Sequence, residues 1–208
     1  MKFSKFSAAI AAAAILPAAI SCHGGGDSSR NTEECAAEAV IDNIMTRASV
    51  REFTTQPVSK DTLELLMKAG MAAPTAINSQ PWAFVAVTER AVLDSLMAVH
   101  PYSNLKTATA AIIVCGDMNK AIEGTGREFW VQDCSAATEN ILLAAHAYGL
   151  GAVWCGVYPD SARVASVSGV LGIPATAIPL NIITLGYPAA EPQPKDKWKP
   201  ANIHYQRW

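Results

Sequence analysis

Arg47, Ser49 and Arg51 stand at alternate positions in the stretch Thr46-Arg47-Ala48-Ser49-Val50-Arg51-Glu52-Phe53. In extended chain, alternate side chains share a face, so two guanidinium forks would flank a hydroxyl while Ala48 and Val50 point away. That trio suits a phosphate dianion, and each charge-assisted hydrogen bond to it contributes about 1.5–3 kcal/mol. The competing reading puts Arg47 in the last turn of a preceding helix, facing its dipole, and leaves Arg51 simply exposed.

A second set of polar groups lies in Ala72-Ala73-Pro74-Thr75-Ala76-Ile77-Asn78-Ser79-Gln80-Pro81-Trp82. This is a loop, so its amides and hydroxyls must find partners outside regular ladders. Asn78 and Gln80 each carry a donor and an acceptor, which a flat heterocycle with adjacent carbonyl and NH groups could satisfy. The alternative is a loop bonded to itself, with Trp82 in the core. Farther on, Gly156 sits inside residues 152–158, where an interior glycine often marks close approach of backbone to a ligand. His100, His146 and His204 have weak functional claims; His146, on an alanine-rich helix, is expected to pack or face solvent.

The elements that must position these residues follow from periodicity. Residues 33–46 are expected to be helical, with Ala36, Val40, Ile44 and Met45 as an apolar stripe. Ser59 reads as the N-cap of a helix through Met71, with Leu63, Leu66, Met67 and Gly70 at helical spacing, ended by Pro74. A strand at 83–88 and a short helix at 90–99 come next. The unbroken apolar run 110–115 predicts a central strand, followed by a glycine-marked loop at Gly124 and Gly126. A long helix over 127–148 turns Val131, Ala137, Ile141, Leu142 and Ala145 inward and stops at Gly149-Leu150-Gly151. Asp160 opens another helix ending near Gly172, and 179–187 gives the last strand. The proline-rich tail 188–208 has little core of its own. Its Trp198, Tyr205 and Trp208 are expected to lie on a second copy of the chain.

The chain has 208 residues, 50% hydrophobic and 16% charged, enough for a core that needs neither metal nor disulfide. Net charge is −2 with no basic run, which argues against a nucleic-acid partner. Residues 1–22 differ in kind. Lys2 and Lys5 precede an apolar run from Phe6 to Ile20, too short to span a bilayer and consistent with an export signal. The run ends Ala19-Ile20-Ser21-Cys22, which resembles a bacterial lipobox with Cys22 as the lipidated residue; a simple cleaved signal is the alternative. Residues 23–32, glycine- and serine-rich at first, are expected to be a flexible tether leading into a domain at 33–208. Cleavage would leave fourteen basic against eighteen acidic residues, a balance of −4. Cys35, Cys115, Cys134 and Cys155 then remain; they lack zinc-site spacing, and sequence cannot pair them as disulfides. Cys115 is expected to be a small core residue.

Four blocks in order resemble the nitroreductase family of FMN-dependent oxidoreductases: the arginine stretch 47–53; Ala73-Pro74-Thr75-Ala76-Ile77-Asn78-Ser79-Gln80-Pro81-Trp82; Glu139-Asn140-Ile141-Leu142-Leu143-Ala144-Ala145 leading to Gly149-Leu150-Gly151; and Leu185-Gly186-Tyr187-Pro188. The resemblance runs from about Ile44 to the end. It implies an α+β fold, a central, mostly antiparallel sheet flanked by helices, in an intertwined homodimer with FMN at the subunit interface. Arg47, Ala48, Ser49 and Arg51 would hold the phosphate and ribityl chain. Pro74, Thr75, Asn78 and Gln80 would reach the flavin from the other subunit. Val153, Trp154, Cys155 and Gly156 would lie along the isoalloxazine, with a backbone NH near its N5. Lys197 falls where many members have a phosphate-binding arginine, and supplies a point charge without the bidentate fork.

The implied chemistry belongs to the cofactor, with no catalytic side chain required. NAD(P)H would reduce FMN by hydride transfer and leave, and a nitroaromatic, quinone or related acceptor would take its place in a ping-pong cycle. Two other readings stay open: a catalytically silent surface lipoprotein that uses the fold as a binding module, and a flavin-dependent dehalogenase-type reductase. Export, to the periplasm or cell surface, would place the chain where NAD(P)H is scarce, so another donor is also conceivable.

Overall fold

A computed structural model of the chain describes residues 28–208; the expected signal, Cys22 and the first part of the tether lie outside the described residues. The unit that carries the sheet and the candidate site is Glu38–Trp208.

The first helix, α1, spans Ser28–Thr46 and so begins five residues before Glu33. Residues 28–32 are therefore helical rather than tether. No glycine or proline interrupts the chain between Gly26 and Pro57, so nothing in that stretch opposes the extra turn. The apolar stripe is uncovered: Val40, Ile41, Ile44 and Met45 are all exposed in the single chain.

Helix α2 (Lys60–Met71) starts at Ser59, whose hydroxyl accepts from the Thr62 N–H at 3.1 Å, the expected cap. It precedes strand β1 (Trp82–Val87), helix α3 (Arg90–Val99), strand β2 (Ala110–Asp117) and helix α4 (Phe129–Ala147). Strand β3 (Gly151–Gly156), helix α5 (Ser161–Leu171) and strand β4 (Ala177–Gly186) complete the unit. The four strands form one sheet in the order β1-β2-β4-β3, every neighbour antiparallel. Helices and an antiparallel sheet make the α+β fold that the family resemblance implies.

Both faces of the sheet are covered. Leu63 and Leu66 of α2, with Trp130, Ile141 and Leu142 of α4, pack on Ile112, Val114, Ile183 and Leu185. Leu93 and Leu96 of α3 and Val167 of α5 pack on Ile113, Val153 and Ile182. Successive residues of β2 therefore enter opposite cores, and this is why its sequence is continuously apolar instead of alternating. Cys115 and Cys134 are buried with free thiols, and Cys155 and the exposed Cys35 are also unpaired. Burial pushes the Cys115 and Cys134 thiols up to about 12. Of the residues expected inward on α4, Ala137, Ile141, Leu142 and Ala145 are buried and Val131 is half-buried.

Gly149 ends α4 in the left-handed region, φ +71°, as a helix-terminating glycine should. Gly151 has a different role. A Cβ there would lie 2.7 Å from Val50 Cβ and Cγ1, so its lack of a side chain lets the arginine stretch press against β3. The tail after Gly186 has no regular element except a short turn at Pro200–Asn202, and its Trp198, Tyr205 and Trp208 are exposed.

Candidate functional site

The arginine stretch runs along the outer edge of β3. Ser49 bridges Ala152 in parallel sense, the Val50 N–H donates to the Ala152 carbonyl at 3.0 Å, and Phe53 bridges Pro188. Val50 is buried while Ser49 and Arg51 are exposed, the alternation expected of extended chain. Arg47 breaks the pattern. As the first residue after α1 it turns toward α4, with Nε 3.3 Å from Glu139 Oε1. The two arginines consequently line two cavities rather than one face.

The first cavity, about 670 Å³, is lined by Ile44, Met45, Arg47 and Glu139 and closed on the other side by the tail from Pro194 to Trp198. Arg47 and Lys197, 150 positions apart in sequence, thus face a common space. The second, about 570 Å³, is lined by Arg51, by Val153, Trp154, Cys155 and Gly156 of β3, and by His100, Tyr102, Asn104 and Arg163. Arg51 makes no salt bridge among the described residues, so its guanidinium is free for a ligand. None of the residues lining these two cavities comes from the 74–80 loop.

β3 is an edge strand, and its outer edge faces the second cavity. Because the Ala152 carbonyl is turned outward to Val50, the antiparallel alternation turns the peptide groups of Trp154 and Gly156 outward too. The Gly156 carbonyl confirms that direction, accepting from His100 Nε2 at 2.9 Å and Arg163 Nη1 at 3.0 Å. Space is not the reason for glycine at 156, since a Cβ there would meet nothing within 4 Å. Cys155 turns its thiol inward, donating to the Ser103 carbonyl at 3.2 Å. Burial raises its pKa, against hydrogen bonds from Asn104 and Thr184 and the charge of Arg51, so the sulfur stays a protonated thiol and not a nucleophile.

The 74–80 loop bonds largely to itself. Gln80 Nε2 donates to Asn78 Oδ1 at 3.0 Å, and the Gln80 N–H donates to Thr75 Oγ1 at 3.1 Å. Ile77, Asn78 and Gln80 all have positive φ, from 48° to 58°, an unusual density of left-handed residues. The anchor is Asp133 on α4, 5% exposed, whose carboxylate accepts from the Ala76 N–H at 2.8 Å. Pro74, Asn78 and Gln80 are exposed and Thr75 half-buried. Trp82 is half-buried against the α2–α4 core.

Several residues of the site carry no sequence signal of their own. Glu139 and Asp133 are ordinary helical acids until the fold brings them 92 residues back to Arg47 and 57 back to Ala76. His100, which sequence gives little claim, is buried in the wall of the second cavity. The sequence cue to Arg163 is Asp160, the α5 N-cap three residues earlier, with which it pairs at 3.3 Å. His146 Nε2 lies 2.9 Å from Thr46 Oγ1 and packs between α1 and α4, as expected.

The donor set fits a phosphorylated flavin. Arg47, Lys195 and Lys197 line the first cavity together with Glu139 and Asp196, while the Arg51 guanidinium and outward strand-edge groups face the second, of about 570 Å³.

A nitroreductase-family model matches residues 44–102 and 94–187. A protein of Methanothermobacter thermautotrophicus, provisionally described as NADH dehydrogenase/NAD(P)H nitroreductase, is 43% identical over 171 residues, 81% of this chain and 87% of that protein. A crystal structure from Bacteroides thetaiotaomicron with the same provisional description is 44% identical, with TM-score 0.77 over 82% of this chain and 98% of that one. An FMN-dependent nitroreductase of Clostridium difficile is 25% identical, with TM-score 0.73 over 81% and 99%. Since the match follows the chain from the end of α1 through β4 and spans nearly the whole of these relatives, the chain belongs to the nitroreductase family.

Proposed function

We propose that this chain is an FMN-dependent NAD(P)H oxidoreductase that reduces nitroaromatic, quinone or related acceptors, and that it works as a homodimer. One observation carries the reading: the stretch 47–51 joins two cavities, with Arg47 and Lys197 at one end and Arg51 beside the free edge of β3 at the other. FMN and a nicotinamide donor are named in the descriptions of relatives.

Bound FMN supplies two-electron transfer from the nicotinamide to the acceptor. The chain's own residues bind and orient. Arg47 keeps its Nη arms for the phosphate while Nε rests on Glu139, and Lys197 adds a second positive charge. Ser49 and Arg51 hold the ribityl chain. The outward N–H groups of the 154–156 edge face the cavity that would hold the ring, and as fixed donors they would favour negative charge on it. Asn78 and Gln80, which line neither cavity of their own chain, come to the flavin of a second copy, held in shape by Asp133. The uncovered stripe on α1 and the exposed Trp198, Tyr205 and Trp208 supply apolar surface for that partner. The N-terminal segment takes the chain out of the cytoplasm and anchors it through Cys22.

The test is direct. Purified full-length protein should be yellow and dimeric, should bleach when mixed anaerobically with NADH or NADPH, and should recover its colour on adding an acceptor from a nitroaromatic and quinone panel. Arg47→Ala and Arg51→Ala should each weaken FMN retention tenfold or more, with the fold intact. Colourless, monomeric protein that takes up no added FMN would end the proposal.

A further inference from the structure

The Gly156 carbonyl receives two side-chain donors from two separate elements. His100, the residue that closes α3, donates from Nε2 at 2.9 Å, and Arg163, in the first turn of α5, donates from Nη1 at 3.0 Å. The other arm of Arg163, Nη2, pairs with Asp160 at 3.3 Å, so the guanidinium is braced by the cap of its own helix. Both helices lie on the same face of the sheet, and their ends converge on the last residue of the edge strand.

That carbonyl would otherwise be an unpaired group at a sheet edge. Gly156 is also the residue whose backbone is least constrained by its own side chain, and no neighbour stands within 4 Å of where its Cβ would be. The peptide plane that carries the carbonyl is held on its inner side by the Val157 N–H, which donates to the Leu180 carbonyl at 2.9 Å. The two donors, fixed on two helices, hold its outer side. They set the direction of the outward N–H groups just before the carbonyl, in the cavity that also holds Arg51.

His100 is suited to the task. It is 1% exposed, and its Nδ1 has no hydrogen-bond partner. Only the neutral ring with its proton on Nε2 serves the carbonyl without leaving a second N–H unsatisfied in the interior. Burial lowers its pKa, consistent with that neutral form.

We propose that His100 and Arg163 are positioning residues for the flavin: by clamping the Gly156 carbonyl from two helices they aim the 154–156 strand edge at the ring. This rests on the FMN reading given above. The clamp acts through backbone and touches neither flavin nor substrate. It makes the reactivity of the bound ring depend on how α3 and α5 end, at a glycine that sequence alone marks merely as a point of close approach.

The experiment compares His100→Leu and Arg163→Met, which remove a donor, with His100→Gln, which keeps an amide donor near the place of Nε2. Amide hydrogen exchange on flavin-free protein reads the clamp itself. Exchange at the inward amides of Cys155 and Val157, the latter donating to the Leu180 carbonyl at 2.9 Å, should quicken at least tenfold in the two donor-deleting variants, stay close to wild type in His100→Gln, and be unchanged in α2 and α4. Dye-equilibrated reduction of the holoprotein reads the consequence. Relative affinity for oxidised and reduced flavin should change about tenfold, which is about 30 mV for a two-electron couple, and His100→Gln should restore it. Wild-type exchange rates at 155 and 157 in both deleting variants would overturn the clamp. Altered exchange with an unchanged potential would overturn its role toward the flavin. Wild-type protein that binds no FMN would sink the functional reading instead, while the exchange measurement still decides the clamp.

Discussion

Arg47 Nε lies 3.3 Å from Glu139 Oε1, so the guanidinium assigned to a phosphate already has an anionic neighbour. The contact engages one edge of the fork and orients the rest. Glu139 is half-exposed, which keeps the pair weak by solvent screening. Glu139→Gln keeps an acceptor for Nε and removes a negative charge beside the phosphate. FMN should bind about two- to fivefold tighter, the range expected for an exposed pair. Fluorescence titration of apoprotein measures it; weaker binding would mean that the carboxylate's charge is needed to hold Arg47.

Asp133 ties the 74–80 loop to α4 through one bond to a backbone N–H. Asp133→Leu leaves that N–H without its acceptor and should cost about 1–3 kcal/mol in denaturant unfolding, with Asp133→Asn well below that. Limited proteolysis should then cut near Ile77, a β-branched residue at φ +48° that is 84% exposed. Protection of the loop in Asp133→Leu would show that its internal bonds suffice.

Gly151 and Val50 are in contact that leaves no room for a methyl group. Gly151→Ala should destabilise by about 1–3 kcal/mol, as overpacking does, and should push the 49–51 stretch off β3, weakening FMN binding through Arg51. Adding Val50→Ala removes the Cγ1 and Cγ2 contacts but leaves Cβ at 2.7 Å, so it should recover only part of both losses, a coupling that a double-mutant cycle reads directly.

His100 makes stability depend on pH. Its pKa lies below the ordinary 6.5 because burial opposes the charged ring; the Gly156 carbonyl and Asp160 pull the other way, and Arg163 adds to the lowering. The unfolded chain therefore takes up the proton more readily. The stabilisation is complete above about pH 6.5 and is lost as pH falls toward the lower folded value. Unfolding midpoints taken from neutral pH down to about pH 5 should drop in wild type and drop less in His100→Gln.

Periodicity and punctuation made most elements legible. Ser59 capping α2, the unbroken apolar run of β2 and Gly149 closing α4 are local features, decided by the residues themselves. The site was legible only in pieces. Arg51 and residues 153–156 line one cavity, a meeting of two separate blocks of sequence, and the turn of Arg47 toward Glu139 depends on how α1 and α4 pack. Gly156 drew attention as a glycine inside a strand, yet its importance lies in its carbonyl, and the donors arrive from 56 residues before and seven after. Gly151 looked like part of a helix stop and proved to be a packing contact. Long-range meetings of this sort leave no periodic trace.

Four residue steps separate Arg47 from Arg51, on the order of 13 Å in extended chain. On the proposed reading this stretch is a ruler with a charge at either end. A dephosphorylated flavin would reach one mark and miss the other, so selection by length would be written into the backbone before any ring is recognised.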